Sequence, residues 1–253
     1  MLRHIWILII AGSFALTAYP TLAALPVAHF PFEGSFNDYS GNGHDGNPQG
    51  DVHLCPDCAG HDNRAACFDG DGDWVDVASS SDLESAHITL TVAFRLTSLE
   101  HPSNTKSIIR KRYLTNDNSY ALSVAIDSQK IAFDLNRGSG NPADQILYSS
   151  TTIQVGTWYE VVTTYDGSEM RMYINGSLDN SMPSTATILN DGGGLELGGV
   201  SFVHGHTNFF HGTLDDVRFY NHGMGEPEVL ELDWCTGISG TESTSWGSVK
   251  KLF

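Results

Sequence analysis

Ile88-Thr-Leu-Thr-Val-Ala-Phe-Arg-Leu-Thr97 is the stretch that decides the fold. Ile88, Leu90, Val92, Phe94 and Leu96 fall on one side of an extended chain, with Thr89, Thr91, Arg95 and Thr97 on the other. That period of two predicts a half-buried antiparallel strand, apolar toward a core and polar toward water. Working outward, Tyr120-Ala-Leu-Ser-Val-Ala-Ile126 repeats the period, turns through Asp127-Ser-Gln-Lys130 and returns as Ile131-Ala-Phe-Asp-Leu135, a hairpin. Trp158-Tyr-Glu-Val-Val-Thr-Thr-Tyr165 turns at Asp166-Gly167 into Met170-Arg-Met-Tyr-Ile174. Asn175-Gly176 then starts a further turn, because both residues tolerate the positive φ that a tight hairpin needs. Leu195-Glu-Leu-Gly198 and Phe209 to Tyr220 supply later strands. The one helix candidate is Glu226 to Trp234, with Pro227 in its first turn, where a missing N–H costs little. Short strands separated by glycine-rich turns predict an all-β, two-sheet antiparallel sandwich of jelly-roll type with one short C-terminal helix.

The flanks differ from this pattern. Arg3 and His4 precede an apolar run from Ile5 to Ala11, and small residues follow at Thr21-Leu-Ala-Ala24. A basic start, an apolar middle and a small-residue exit predict a secretory signal peptide over residues 1–23. The run is too short and too broken for a membrane span, which needs about 20 apolar residues. The domain is expected over 25–235, followed by a Gly/Ser/Thr-rich tail at 236–253. The chain carries 13 Lys and Arg against 30 Asp and Glu. This acidic balance argues against nucleic acid or an anionic membrane as partner, since both select clustered cations. Secretion to the extracellular space or cell surface is the expected destination.

Cys55, Cys58, Cys67 and Cys235 are the four cysteines. Export favours disulfides, and a bridge from the first three to Cys235 would tie the ends of the chain together. Zinc held by these cysteines, with His53 or His61 nearby, and free thiols are the alternatives.

Five runs carry a resemblance. They are Phe32-Glu-Gly-Ser-Phe-Asn-Asp-Tyr-Ser-Gly-Asn-Gly43, Cys67-Phe-Asp-Gly-Asp-Gly-Asp-Trp-Val-Asp-Val77, Gly156-Thr-Trp-Tyr-Glu-Val-Val-Thr-Thr-Tyr-Asp-Gly167, Met172-Tyr-Ile-Asn-Gly176 and Gly212-Thr-Leu-Asp-Asp-Val-Arg-Phe-Tyr-Asn221. In this order and spacing the chain resembles the laminin-G-like, concanavalin-A-like jelly-roll domains of exported bacterial proteins. The resemblance implies two packed antiparallel sheets and, in many members, a structural calcium near the joined termini. The Cys55-x-x-Cys58 insertion and the trailing Cys235 depart from the family pattern.

Calcium takes six to eight oxygen ligands, and the Asp/Asn/Gly loop after Phe30 offers them. Asp38 is the leading side-chain candidate, with Glu33 and Asn42 behind it, and Gly43 and His44 as backbone carbonyls. Asp215 and Asp216 interrupt the last strand and point to opposite faces, so one of them, Asp216 by preference, reaches the same ion. Turn hydrogen bonds alone are the competing role for these residues. Asp69-Gly-Asp-Gly-Asp73 lacks the length and terminal Glu of a helix-loop-helix calcium motif, so a tight turn is expected there, with a second cation site as the alternative.

Catalysis finds little support. The Glu-x-Asp-x-x-Glu run of related hydrolases is absent, and Glu226, Glu228 and Glu231 fall on the helix candidate. Arg110-Lys-Arg112 with Tyr113, and His204-x-His206, do not form a lyase signature, and no nucleophile elbow is present. His204, His206 and His211 as transition-metal ligands compete with an exposed loop. Tyr113, Tyr120, Tyr148, Phe209 and Phe210 are candidate sugar platforms against a core-packing role, Trp158 is expected in the core, and Trp74 is ambiguous. The expected function is a non-catalytic recognition module with a structural calcium that binds extracellular glycan. The main alternative is an adhesion or surface-structural domain that binds a cell-surface protein, and a glycan hydrolase or lyase stands behind both.

Overall fold

The computed structural model describes residues 24–100, 104–113, 117–136, 145–190, 192–200 and 208–232. The expected leader, the tail and Cys235 lie outside them. In chain order the strands are β1 (Ala28–Phe30), β2 (Gly46–Gln49), β3 (His53–Cys55), β4 (Ala65–Asp69), β5 (Trp74–Val77), β6 (Ile88–Leu96), β7 (Thr105–Tyr113) and β8 (Asp117–Ala125). They continue as β9 (Lys130–Leu135), β10 (Gln145–Tyr148), β11 (Trp158–Tyr165), β12 (Glu169–Ile174), β13 (Ser177–Pro183), β14 (Leu195–Leu197) and β15 (His211–Tyr220). One helix, α1 (Glu226–Leu230), follows.

The strands form two antiparallel sheets. The first runs β13-β12-β11-β6-β15-β4-β3, with β1 also paired to β15, and the second runs β10-β9-β8-β7-β14-β5-β2. Ile88, Leu90, Val92, Phe94 and Leu96 from the first sheet meet Tyr120, Leu122, Val124, Ile131, Phe133 and Leu135 from the second in one core. Each such side chain contributes about 1.5–3 kcal/mol by leaving water. The predicted hairpins are present. Asn175 and Gly176 both take positive φ, 50° and 75°, the geometry that matches the twist of β12 and β13.

Some expectations change. The threonine face of β6 is buried as well, because Thr89 Oγ1 donates to the His222 carbonyl at 2.8 Å and accepts the Met224 N–H at 2.9 Å. The C-terminal segment thus crosses that face, and Val162, Tyr173, Tyr220, Met224 and Val229 form a second cluster. Trp158 is half-buried, with the Arg95 guanidinium 5.3 Å above its ring, rather than part of the core. Helix α1 is shorter than expected and is capped by the Glu228 carboxylate, which accepts the Gly225 N–H at 3.0 Å. β7, with four cations in nine residues, is a strand that periodicity alone misses.

Candidate functional site

Two networks of carboxylates and cations stand out, and the fold builds them in different ways. The first is the corner where the chain's early and late strands meet. β4 pairs with the first half of β15, up to Leu214↔Ala66, and β1 with the second half, from Val217↔Phe30. Asp216 sits in the gap between them at φ 49°, where the register with β6 slips between Asp215 and Arg218. The bulge lets two consecutive acidic residues occupy a central strand.

The loop after β1 is drawn around Asp38. Its Oδ1 accepts the N–H groups of His29 and Ser40, both at 2.9 Å, and its Oδ2 accepts the Ser40 hydroxyl at 2.7 Å and the His44 N–H at 3.0 Å. Burial acts to raise the Asp38 carboxyl, but these bonds together hold it below the usual carboxylate range. Asn42 donates its amide to the Val27 carbonyl at 2.9 Å. Across His29, Asp216 Oδ1 lies 2.7 Å from the imidazole Nε2 and 3.0 Å from Arg218 Nε, and its Oδ2 is 2.6 Å from Arg218 Nη2. Burial works to lower the Arg218 guanidinium, and the Asp216 charge outweighs it, so Arg218 stays firmly protonated.

Among the expected calcium ligands, Asp38, Asn42 and His44 therefore gather around the Val27–His29 backbone, and Asp216 stands on the other side of the His29 ring. Glu33 does not join them, being paired with Arg64 Nε at 3.1 Å. Two carboxylates with carbonyls suit a hard cation. Asp38 and Asp216 would be the side chains to hold such an ion, which would have to compete with Arg218 for Asp216 and with the N–H and hydroxyl donors for Asp38.

The second network lies on the outer face of the second sheet. Register alone aligns Asn47, Asp76, Glu196, Arg110, Ala121, Asp134 and Ile146 in one row across the strands. Arg112 reaches Asp76 Oδ1 at 3.2 Å and Glu196 Oε1 at 3.5 Å, and Arg110 reaches Glu196 Oε2 at 3.6 Å. Glu196 is fully buried and Asp134 is 1 % exposed, whereas Asp76 and Arg112 are each about one-third exposed, 34 % and 35 %. Ser119 and Ser123 share the outward side of β8 with Ala121, and among the described residues neither buried hydroxyl has a hydrogen-bond partner. Trp74 projects from β5 two residues before Asp76, stacked on Phe209 with ring centroids 6.4 Å apart.

The glycine run before β14 makes room for this network. A Cβ on Gly194 would lie 2.5 Å from Arg112 Nη2 and 2.6 Å from the Val77 carbonyl, so a larger residue would push the guanidinium aside. Beneath it, buried Lys111 bonds the Gly193 carbonyl and pairs with Glu84 at 3.5 Å, and Glu84 also accepts the Gly192 N–H at 2.6 Å. The loop is thus clamped from the core side. The sequence pattern brings up Arg110 and Arg112 only for a lyase signature that is not met, and gives Glu196 no role. The signal was the glycine run beside a two-residue alternation in Leu195-Glu-Leu197.

A family model for Laminin_G_3, the concanavalin A-like lectin/glucanases superfamily, matches residues 69–230. The chain belongs to this family. β1 to β3, and β4 up to its last residue, lie ahead of that match and pair into the same two sheets. No curated protein matches the sequence. Among solved structures, the binding domain of botulinum neurotoxin serotype D/C is similar at TM-score 0.63 and 14 % identity over 81 % of this chain. The present chain spans about half of that protein, 51 % of its length. Domain 4 of AbnA, an extracellular arabinanase of the GH43 class from Geobacillus stearothermophilus solved with arabinotriose, is similar at TM-score 0.63 and 16 % identity over 83 % of this chain and 98 % of that one. Another botulinum neurotoxin DC binding domain, in complex with rat synaptotagmin II, is similar at TM-score 0.62 and 13 % identity over 81 % of this chain and 50 % of that one. Such identities speak for the fold alone.

The remaining expectations divide. In this concanavalin A-like domain Cys55 and Cys67 form a disulfide, with Cα atoms 5.9 Å apart, and Cys58 is also disulfide-bonded. These sulfurs are therefore neither zinc-binding thiolates nor free thiols. Tyr120, Phe209 and Phe210 are core residues, which removes them as sugar platforms, while Tyr148 is 44 % exposed. His204, His206 and the side chain of Tyr113 lie outside the described residues. Asp69-Gly-Asp-Gly-Asp73 is a turn, in which Asp73 accepts the N–H groups of Asp51 at 2.8 Å and Asp69 at 3.1 Å. Burial raises the Asp73 carboxyl, partly offset by those two bonds. Asp51, Asp69 and Asp73 each bring an oxygen within 4.8 Å of the others, and Asp51 and Asp69 are exposed. Among the described residues no helix is long and apolar enough to cross a membrane.

Proposed function

We propose that this domain is an exported, non-catalytic recognition module for extracellular carbohydrate, with a structural calcium at the corner where β1 meets β15. The observation that carries the carbohydrate reading is the row on the second sheet. At its open end Arg112 and Asp76, ion-paired and each about one-third exposed, form a rigid polar surface suited to a polyhydroxylated ligand. The arabinotriose complex of AbnA domain 4 makes such a ligand consistent with the fold. The apolar leader and the disulfide support export.

Asp76 and Glu196 are cross-strand neighbours, so they are the carboxyl pair to weigh for glycosidic cleavage, although Glu196 is fully buried. Acid–base cleavage needs one of the two free to carry a proton, and both here are paired with arginine. The pairing supports binding without turnover.

A second reading, protein recognition, draws on one feature. Tyr148 and Leu178, 44 % and 53 % exposed, belong to β10 and β13, edge strands joined by the Asn180 amide bond to the Tyr148 carbonyl. A panel of oligosaccharides and extracellular proteins, screened with calcium present, decides between the two. Calcium itself is tested by thermal unfolding with excess ion and with chelator. A folded-state ion at a hundredfold excess over its dissociation constant adds about 2.7 kcal/mol. That gain is expected to vanish in Asp216→Ala, and an equal melting temperature in both conditions contradicts the calcium assignment.

A further inference from the structure

We infer that the ligand is a neutral oligosaccharide, gripped at the β2–β5 end of the second sheet's outer face by Trp74, Gln49, Asp76 and Arg112. The inference rests on the carbohydrate reading above and makes it specific.

Exposure locates the grip. The middle of the row is closed, with Glu196 fully buried and Arg110 13 % exposed. Toward the sheet edge it opens, where Asp76 and Arg112 are 34 % and 35 % exposed and Asn47 on β2 faces water. Gln49 stands opposite Trp74 in register, and Asn47 opposite Asp76. One patch therefore combines a largely buried indole with part of its surface open, a primary amide, a carboxylate and a guanidinium. A pyranose or furanose ring offers C–H groups to an indole face and hydroxyls to planar bidentate donors and acceptors. Phe209 behind the indole, and Glu196 behind Arg112, fix both groups before any ligand arrives. Glu196 is thus a positioning residue, and Gly194 leaves the guanidinium the space it occupies.

Charge selects the class of sugar. Arg112 already faces Asp76 at 3.2 Å and Glu196 at 3.5 Å, and Arg110 faces Glu196 at 3.6 Å. A uronate or sulfate group would have to draw an arginine away from these carboxylates, in a chain of formal net charge −17. A neutral hydroxyl can join the same network without breaking it, accepting from the guanidinium and donating to Asp76.

The test uses the disulfide-bonded domain and isothermal titration with neutral hexasaccharides of arabinan, xylan, cellulose and starch, against hexagalacturonate and a heparin hexasaccharide. Trp74→Ala, Gln49→Ala and Asp76→Asn are compared with the parent, each checked for an unchanged melting profile. Gln49→Ala, on an edge strand, guards against a fold defect in Trp74→Ala. The expected result is binding to at least one neutral sugar and to neither anionic one. About tenfold or greater weakening is expected in Trp74→Ala and Asp76→Asn, with a smaller loss in Gln49→Ala. Neutral binding that all three variants leave intact overturns the location. Preference for the anionic sugars overturns the charge argument while the carbohydrate reading stands. Binding to none of the six overturns that reading, and the inference with it.

Discussion

The β1–β15 corner and the outer face of the second sheet are built from the same chemistry and hold it differently. At the corner, Asp38 is bonded by backbone N–H groups from its own loop and from His29, so its charge stabilises a chain path. On the face, Asp76, Arg112 and Glu196 come from three strands far apart in sequence, and side chains bond side chains. The first arrangement specifies a backbone, and its loss is felt by the fold. The second leaves Asp76 and Arg112 partly exposed, and its loss is felt by whatever docks there. Carboxylates tied to backbone N–H groups read as structure; carboxylates paired to cations at an exposed sheet edge read as recognition.

The sharpest way to break this contrast is at Asp38. Asp38→Ala removes four hydrogen-bond acceptances at once and is expected to cost about 2 kcal/mol in denaturant unfolding, with charge-assisted bonds dominating the loss. A neutral result would mean that the loop is held by other contacts, and would place the corner in the same class as the face.

Acid sharpens the contrast next. Asp38 and Asp57 have folded-state values below the ordinary range, where hydrogen bonds from neighbouring N–H groups outweigh burial. A lowered carboxyl contributes stability that is complete above about pH 4 and is lost as pH falls through its folded value. Asp73 has the opposite sign. Its raised value means that protonation comes earlier and favours the fold, a small offset before the main loss. Thermal unfolding from about pH 6 to about pH 2 should therefore fall late, and Asp38→Asn should flatten the fall. An acid profile that Asp38→Asn leaves unchanged would contradict the structural role given to this carboxylate.

The smallest expected change in stability belongs to Asp76→Asn, less than about 1 kcal/mol, because the pair is one-third exposed and screened by solvent. Urea midpoints measure it, and a loss as large as that of Asp38→Ala would make the face part of the fold's framework.

The corner was largely legible in the sequence. Phe30 to Gly46 and Phe210 to Asn221 announce a loop and a strand that need each other, and β1 does pair with β15. What the sequence concealed was the occupant beside Asp216, because the two-residue period says nothing of the bulge that aims Asp216 at His29 and Arg218. The hairpins around Asn175-Gly176 and Asp127 to Lys130 were legible because their turn chemistry is local. The face was not. β7 hides its strand character behind Lys106, Arg110, Lys111 and Arg112, and the two buried lysines point inward, where a strand pattern predicts apolar residues. Its partners at Asp76 and Glu196 are assembled by register alone. Trp158 misled for a related reason, since an aromatic residue at a strand start looks like core until its neighbour across the ladder proves to be Arg95.

Stability resides in the corner and recognition in the face, and one paired experiment separates the two. Asp38→Ala and Asp76→Asn are measured side by side for unfolding free energy and for affinity toward the neutral oligosaccharide selected in the binding panel. The account predicts a crossed outcome: Asp38→Ala unfolds more easily yet binds normally at a temperature where it is folded, whereas Asp76→Asn keeps its stability and loses affinity. If both variants lose affinity and stability together, or if Asp38→Ala alone abolishes binding, the division of labour between the two regions is wrong.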